Sequence, residues 1–593
     1  MTGLQGLISR AKHGDCIYLY DVNKLFEENG SNIFCVLALS GGGERSFKIG
    51  LPEPQDEEEA AFIRKYFYAR IYNILSMLGG RYMTVYTAGN RFAHELAASL
   101  ENVFGVHSSR DERSGYAKCL NVTDRINAAL GVEPFCFQVT KEAWASAGAA
   151  EEEPASADIT AAFQHAVTQA SKGLICGMDV GGTDIKVVGA KHGHIDHIKE
   201  YDWFPAAFTE IDSIVDTVML MARLSRALMA LTPEVPPEVA EVRHEALRRE
   251  ATIEEIQQAV EQLESYIGKV TSLDGIGLSF PDVVIRDKIV GGETYKTKGV
   301  REHSTDYENE FKRLTGLNEK LASLCRMSGV VHITNDGPMA AYTAAVELAY
   351  SPQAAAVRAG MFAHTLGTEL GTGWIDEEGE VPEYPLEVYN CIIDLGNVPA
   401  QVYPSDDVRS LNNFNTGIAG TLQKYTSQSG AFRLAEQYYR TFAPKLYDEL
   451  FQKGYLTSED DSSIAPTVEP VDMRKQFLEH LMAQAEAGIP EAERIFEEIG
   501  EYLAATWLET EAVLHPTAKT RVLYGRFVKR RRCFELMLLG ARRILPDIVL
   551  SAADDELAFT PMMQELRGDP VYSVAQFGQA LGAVYFAASV ITE

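Results

Sequence analysis

Apolar residues in the first third of the chain fall into two periods. Over residues 57–78, EEEAAFIRKYFYARIYNILSML, they recur every three to four positions, which predicts a long helix with one buried face. Around it, CIYLY (16–20), NIFCVLAL (32–39) and RYMTVYTAG (81–89) are rich in β-branched and aromatic residues and predict strands. The glycine-rich LSGGGERSFKIG (39–50) lies between apolar runs with no helical pattern after it, so it predicts a hairpin rather than a phosphate loop. Residues 1–150 read as a mixed α/β unit whose role the pattern does not reveal.

The pattern then lapses. Residues 146–172, SAGAAEEEPASADITAAFQHAVTQASK, begin as an Ala/Glu/Pro-rich stretch and end with helical spacing, so 151–172 reads as a linker and lead-in helix. That composition predicts that residues 173–593 fold without the N-terminal unit. From 173 to 203 the order is strand, turn, strand, turn, strand, and a helix is predicted over 211–231. The charged stretch 236–266 reads as an inserted, solvent-facing helical excursion. GIGLSF (275–280) and TRVLYG (520–525) are strands, and most of the last third is helical.

Composition narrows the classes. The net charge of −30 argues against a nucleic-acid partner, and no apolar run reaches membrane-spanning length. The eight cysteines include no CxxC pair, which predicts a reducing, cytoplasmic setting without structural zinc. HGHIDH (192–197) reads as an exposed hairpin rather than a metal site, and Lys529–Arg532 as a surface patch at a helix start.

Candidate chemistry begins at DVGGTDIK (179–186). The stretch is neither a Walker loop nor a Rossmann turn, because the chain continues as strand after it. A Gly181-Gly182-Thr183 turn can present backbone N–H groups to an anion, with the Thr183 hydroxyl and Lys186 beside it. Asp179 at the strand end suits a hydrated Mg²⁺. A plain β-hairpin accounts for the same residues. In ITNDGPMAA (333–341) a strand gives way to a helix, with Pro338 suited to its first turn. Asp336 at that junction is a candidate general base. HTLGTELGTGWI (364–375) is a second glycine–threonine hairpin. GGETYKTKG (291–299) is either a wall of the substrate cleft or a plain loop.

Taken in order, DVGGTDIK, GIGLSFP, ITNDG, LGTELGTG and the C-terminal VLHPTAKTRVLYG and QFGQALGAVYFA resemble the ROK family of sugar kinases over residues 173–593. The resemblance implies an α/β fold of two ribonuclease-H-like lobes with an interlobe cleft, over 173–345 and 346–593, plus the N-terminal α/β domain. It implies ATP-dependent phosphorylation of a sugar-like hydroxyl compound by a cytoplasmic enzyme, a possible homodimer, with ATP and Mg²⁺ as cofactors. A non-catalytic sugar or nucleotide sensor on the same fold is the alternative. Asp336 is implied as base, with Asn335, Asp282 and Glu387 as substrate contacts and Asp179 as the metal residue. Gly181, Gly182, Thr183, Lys186, Gly367, Thr368, Gly371, Thr372 and Gly525 are implied around the nucleotide. The chain departs from the family in three places. It lacks the cysteine-rich zinc motif, it carries Glu369 where glycine is usual, and Tyr524-Gly525-Arg526 replaces a Gly-Gly pair.

Overall fold

A computed structural model describes residues 3–105, 115–145, 159–269, 271–291, 295–366, 370–397, 407–410, 416–456, 471–553 and 557–592. In the N-terminal unit, strands β1 (Ser31–Ala38), β2 (Glu44–Leu51), β3 (Tyr82–Tyr86) and β4 (Cys136–Thr140) form one sheet in the order β2-β1-β3-β4. The glycine-rich segment is the β1–β2 hairpin, and the helix spans Glu57–Leu78 as its periodicity predicts. Asp56 caps that helix through the Glu59 N–H. CIYLY is not a strand: Tyr18 makes one isolated bridge and Leu19 opens a helix that runs to Asn29. Its aromatic content suited a strand, but Leu19, Val22 and Phe26 bury at helical spacing.

The middle of the chain builds a five-stranded sheet from β5 (Leu174–Val180), β6 (Asp184–Lys191), β7 (His194–Asp202), β8 (Leu273–Phe280) and β11 (Cys325–Asn335). Its order is β11-β8-β5-β6-β7, an antiparallel meander of β5, β6 and β7 with β8 and β11 added parallel beside β5. This is the ribonuclease-H-like topology. A short ribbon of β9 (Val284–Ile285) and β10 (Lys288–Ile289) follows β8. The second sheet, β13-β12-β14-β15, uses β12 (Met361–Leu366), β13 (Leu370–Ile375), β14 (Thr520–Gly525) and β15 (Val549–Ala552). It repeats the order without a third meander strand among the described residues.

Two helices lie between the sheets. Asp336–Ala349 packs on β12 and β13, and Val574–Ser589 packs on β5 and β8. The C-terminal helix therefore covers the first lobe's sheet, although its sequence position places it with the second. Glycines make this approach possible: a Cβ on Gly177 or Gly277 would lie 2.1 or 1.8 Å from the carbonyl oxygens of Ala580 and Ala583. The predicted excursion consists of helices Pro237–Leu247 and Ile253–Ile267, and it is not simply solvent-facing. Ile256, Val260 and Leu263 are buried in the core under helix Ile211–Met229.

The boundary near 150 does not divide the core. Ile33, Phe67, Ile71 and Leu75 share one buried apolar cluster with Phe362, Trp374, Leu395 and Trp507 of the second lobe. Arg70 and Glu509 form a buried ion pair across this junction at 2.5 Å. Asn73 donates to Ile392 O at 2.9 Å and accepts from Ile392 N at 2.8 Å. Residues 146–158, the front of the predicted linker, lie outside the described residues.

Candidate functional site

Register places the candidate residues of the first lobe. Asp179 pairs with Lys186 on β6 and with Ser279 on β8, and Ser279 pairs with Thr334 on β11. These four form one row across four strands, on the face that carries Gly177 and Gly277 two residues earlier. The next residue of β11 is Asn335, the N-cap of helix Asp336–Ala349, whose Oδ1 accepts from Gly337 N at 2.9 Å. Asp336 Oδ1 accepts from the same N–H, also at 2.9 Å. The helix thus starts where the strands end, and it brings Asp336 to Asp179.

The electrostatics report that proximity. Burial pushes the Asp179 carboxyl up from 3.8 to about 6. Lys186 and Ser279 oppose the shift, and the negative charges of Asp336 and Asp184 add to it. Protein surrounds the carboxylate even though it keeps some solvent exposure.

The Gly181–Thr183 turn is tighter than an open anion nest. Gly181 N–H donates to Asp184 O at 2.8 Å, and Trp203 Nε1 donates to Gly181 O at 3.0 Å. Neither glycine takes the left-handed conformation that alternates in such a nest. Lys186 is engaged as well, since its ammonium bonds Asp184 Oδ1 and both side chains are largely buried. The sequence carries part of this signal: residues two apart on a strand share a face, so Asp184 and Lys186 lie on the same side of β6. What the sequence reading missed is Lys296. A Cβ on Gly182 would lie 3.4 Å from Lys296 Cε, so the Lys296 side chain leans on the turn itself.

Substrate candidates divide. Asp282 and Asn335 are joined, with Asn335 Nδ2 donating to Asp282 O at 2.8 Å, and Asp282 is buried. Both ends of the Asn335 amide are therefore already bonded in this structure. Glu387 is set against the N-terminal unit: its N–H donates to Ser76 O at 3.0 Å and its Oε2 accepts from Asn390 at 2.9 Å.

In the second lobe, Gly367, Thr368 and Glu369 lie outside the described residues. Gly371 and Gly525 flank them, paired with Thr365 and Leu366 of β12. At Gly525, φ is 102° and a Cβ would sit 2.0 Å from Leu366 O, so this position requires glycine. Gly371 N donates to Thr365 Oγ1 at 3.0 Å. Thr372 faces the interior, with its hydroxyl 3.1 Å from Nδ1 of the buried His364, so its side chain does not reach the cleft. Its backbone does approach the site: a Cβ on Gly337 would lie 2.4 Å from Thr372 O. The second strand pair thereby comes within one residue of Asp336. Arg526 points away, 4.0 Å from Glu479.

The remaining features have structural partners. His192 and Gly193 make the β6–β7 turn, whereas His197 is buried on Ser225 at 3.0 Å, so HGHIDH is only partly exposed. Arg530 and Arg532 pair with Glu486 and Glu493 on neighbouring helices. All eight cysteines are free. Among the described residues no helix is long and apolar enough to cross a membrane, and no three His, Cys, Asp or Glu side chains group as a metal site.

No protein-family model matches the chain, and no curated protein matches it. Solved structures do. A ROK hexokinase from Thermus thermophilus is 15% identical, with 70% of this chain and 97% of that one aligned at a TM-score of 0.38. A ROK family glucokinase from Streptomyces griseus, in complex with glucose and AMPPNP, is 15% identical over 70% of this chain and 98% of that one, at 0.36. A ROK family transcriptional regulator, homolog of the E. coli MLC protein, is 12% identical over 70% and 80%, at 0.38. Kinases and a regulator thus stand side by side among the similar folds. In this chain it is the strand order that carries the two-lobed reading, and the N-terminal unit is additional to it.

Proposed function

We propose that the protein transfers the γ-phosphoryl group of ATP to a hydroxyl of a sugar or sugar-like compound. The observation that supports this most is the meeting of Asp179 and Asp336 at the ends of β5 and β11, close enough that the Asp336 charge helps to raise the Asp179 carboxyl. In this reading Asp336 accepts the proton of the attacking hydroxyl, and Asp282 and Asn335 hold the sugar from the adjoining loop. The Gly181–Thr183 and Gly367–Gly373 turns hold phosphate oxygens, with Gly525 leaving room beside the latter. Oxygen donors that repel one another fit a hard cation, and Mg²⁺ takes one or two carboxylates and completes its shell with water and phosphate. Asp179 would hold it, and when bound it would neutralise phosphate charge. Positioning and charge neutralisation are the main demands of phosphoryl transfer.

A coupled assay over a panel of aldohexoses with Mg-ATP tests the proposal. Asp336→Asn should lower kcat by roughly 10²–10⁴ while sugar binding persists. Equal turnover in that variant and the wild type would remove Asp336 from the chemistry. A second reading, a sugar or nucleotide sensor, is favoured by the closed Lys186–Asp184 pair and the engaged Gly181 N–H. It expects sugars to raise the melting temperature with no turnover of ATP.

A further inference from the structure

The Gly-Gly-Thr turn has a lysine on each side, and only one of them is spent. Lys186 is bound to Asp184, and both are largely buried. Lys296 has no ion pair or hydrogen bond among the described residues, yet it is half-buried and its stem lies along the turn, with Cε 3.4 Å and Cγ 3.9 Å from a Cβ placed on Gly182. Gly182 does not take a left-handed φ, so its missing side chain gives space rather than conformational freedom. An alanine there would just reach van der Waals contact with the lysine, and a longer side chain would compete with it for that space.

The local charges make an unpaired cation informative. Asp179, Asp184 and Asp336 supply three negative charges near the turn, and Lys186 offsets one of them. A polyphosphate arriving at such a place meets net repulsion unless a further cation faces it. We propose that Lys296, reaching over Gly182, is the residue that binds the phosphate chain of the nucleotide, and that Lys186 is a structural counter-ion to Asp184. The assignment rests on the nucleotide reading above and replaces the role the sequence suggests for Lys186. It also places the Lys296 end of GGETYKTKG on the nucleotide side of the cleft.

Calorimetric titration of the full chain with Mg-ATP, at low and at raised salt, tests the assignment. Lys296→Ala should weaken binding roughly 10- to 100-fold, the range of one charge-assisted contact. Lys296→Arg should recover most of that loss, and the salt dependence should be smaller in the alanine variant. Asp184→Asn combined with Lys186→Gln, which removes the pair without leaving a lone charge, should stay within about threefold of wild type. Melting temperatures of all variants establish that they fold. Wild-type affinity in Lys296→Ala beside a large loss in the double variant would overturn the assignment and leave the nucleotide reading standing. No Mg-ATP binding by the wild type would sink both.

Discussion

The N-terminal unit meets the two lobes in opposite ways. Against the second lobe it is continuous core, with the Arg70–Glu509 pair buried to within 3% exposure and Asn73 bonding both the N–H and the C=O of Ile392. Against the first lobe it offers the helix Ala117–Ala129. There Val122 and Ile126 pack on Val283, Ile285 and Val290, and Arg125 Nη2 reaches Glu308 at 2.8 Å. The first contact has the character of a domain interior, and the second that of a surface patch. The difference teaches that a folding unit is bounded by where its apolar cluster ends, whatever the composition of the linker beside it.

The largest expected effect is loss of folding on truncation. Residues 173–593 expressed alone expose the second-lobe side of that cluster and also lack the helix Thr160–Ala170. We expect an aggregated or molten fragment by calorimetry and near-UV dichroism. A single cooperative transition would restore the independent-domain picture and break the comparison. Next comes Arg70→Ala, which leaves Glu509 charged and buried. A loss of about 3–5 kcal/mol in urea unfolding is the ordinary outcome of such a deletion. Arg125→Ala removes a largely buried guanidinium whose partner carboxylate is half exposed, so it leaves no buried lone charge and should cost no more than about 2 kcal/mol in the same measurement. Equal losses in the two experiments would erase the distinction between the interfaces.

The smallest effect is a pH signature of the first lobe alone. The folded state raises the Asp179 carboxyl from 3.8 to about 6, so between those values the native protein binds the proton more tightly than the unfolded chain. Stability contributed by this group is therefore present below 3.8 and lost as pH rises through about 6. Asp179→Asn should raise the melting temperature by a few degrees above pH 6, and the gain should vanish towards pH 3.8. A gain independent of pH would mean that ionisation of Asp179 is not strained. With Mg²⁺ on Asp179 as proposed, its protection of the wild type, read by thermal shift, should fade as pH falls below about 6, when the carboxyl takes its proton.

Much of the first lobe could be read in the chain, because period and spacing are local properties. The hairpin at 179–186, the strand at 275–280 and the strand-to-helix step at Asn335–Asp336 follow from alternation, glycine placement and a proline in the first helical turn. Even the Asp184–Lys186 pair was present in the two-residue spacing of β6. Other features depend on elements distant in sequence. Thr372 sits in a glycine–threonine motif, but the second lobe turns it inward onto His364, and only three-dimensional packing decides which face of a strand is covered. CIYLY resembles a strand by composition, and its first residues are instead held against Ile393–Leu395, which lie more than 370 positions away.

The sequence by itself determined where the strands of the first lobe run along the chain, the helix at 57–78, and which residue types stand at the strand ends. Those depend on contacts within a few residues and on the two periods of the backbone. Tertiary structure alone decided that the C-terminal helix covers the first sheet, that the N-terminal unit completes the second lobe's core, and that Lys296 rather than Lys186 lies unpaired over the glycine turn. Each of these depends on a surface formed by residues remote in the chain. Burial, and charge pairing between remote elements, are settled by which surfaces meet, and local sequence carries no record of that.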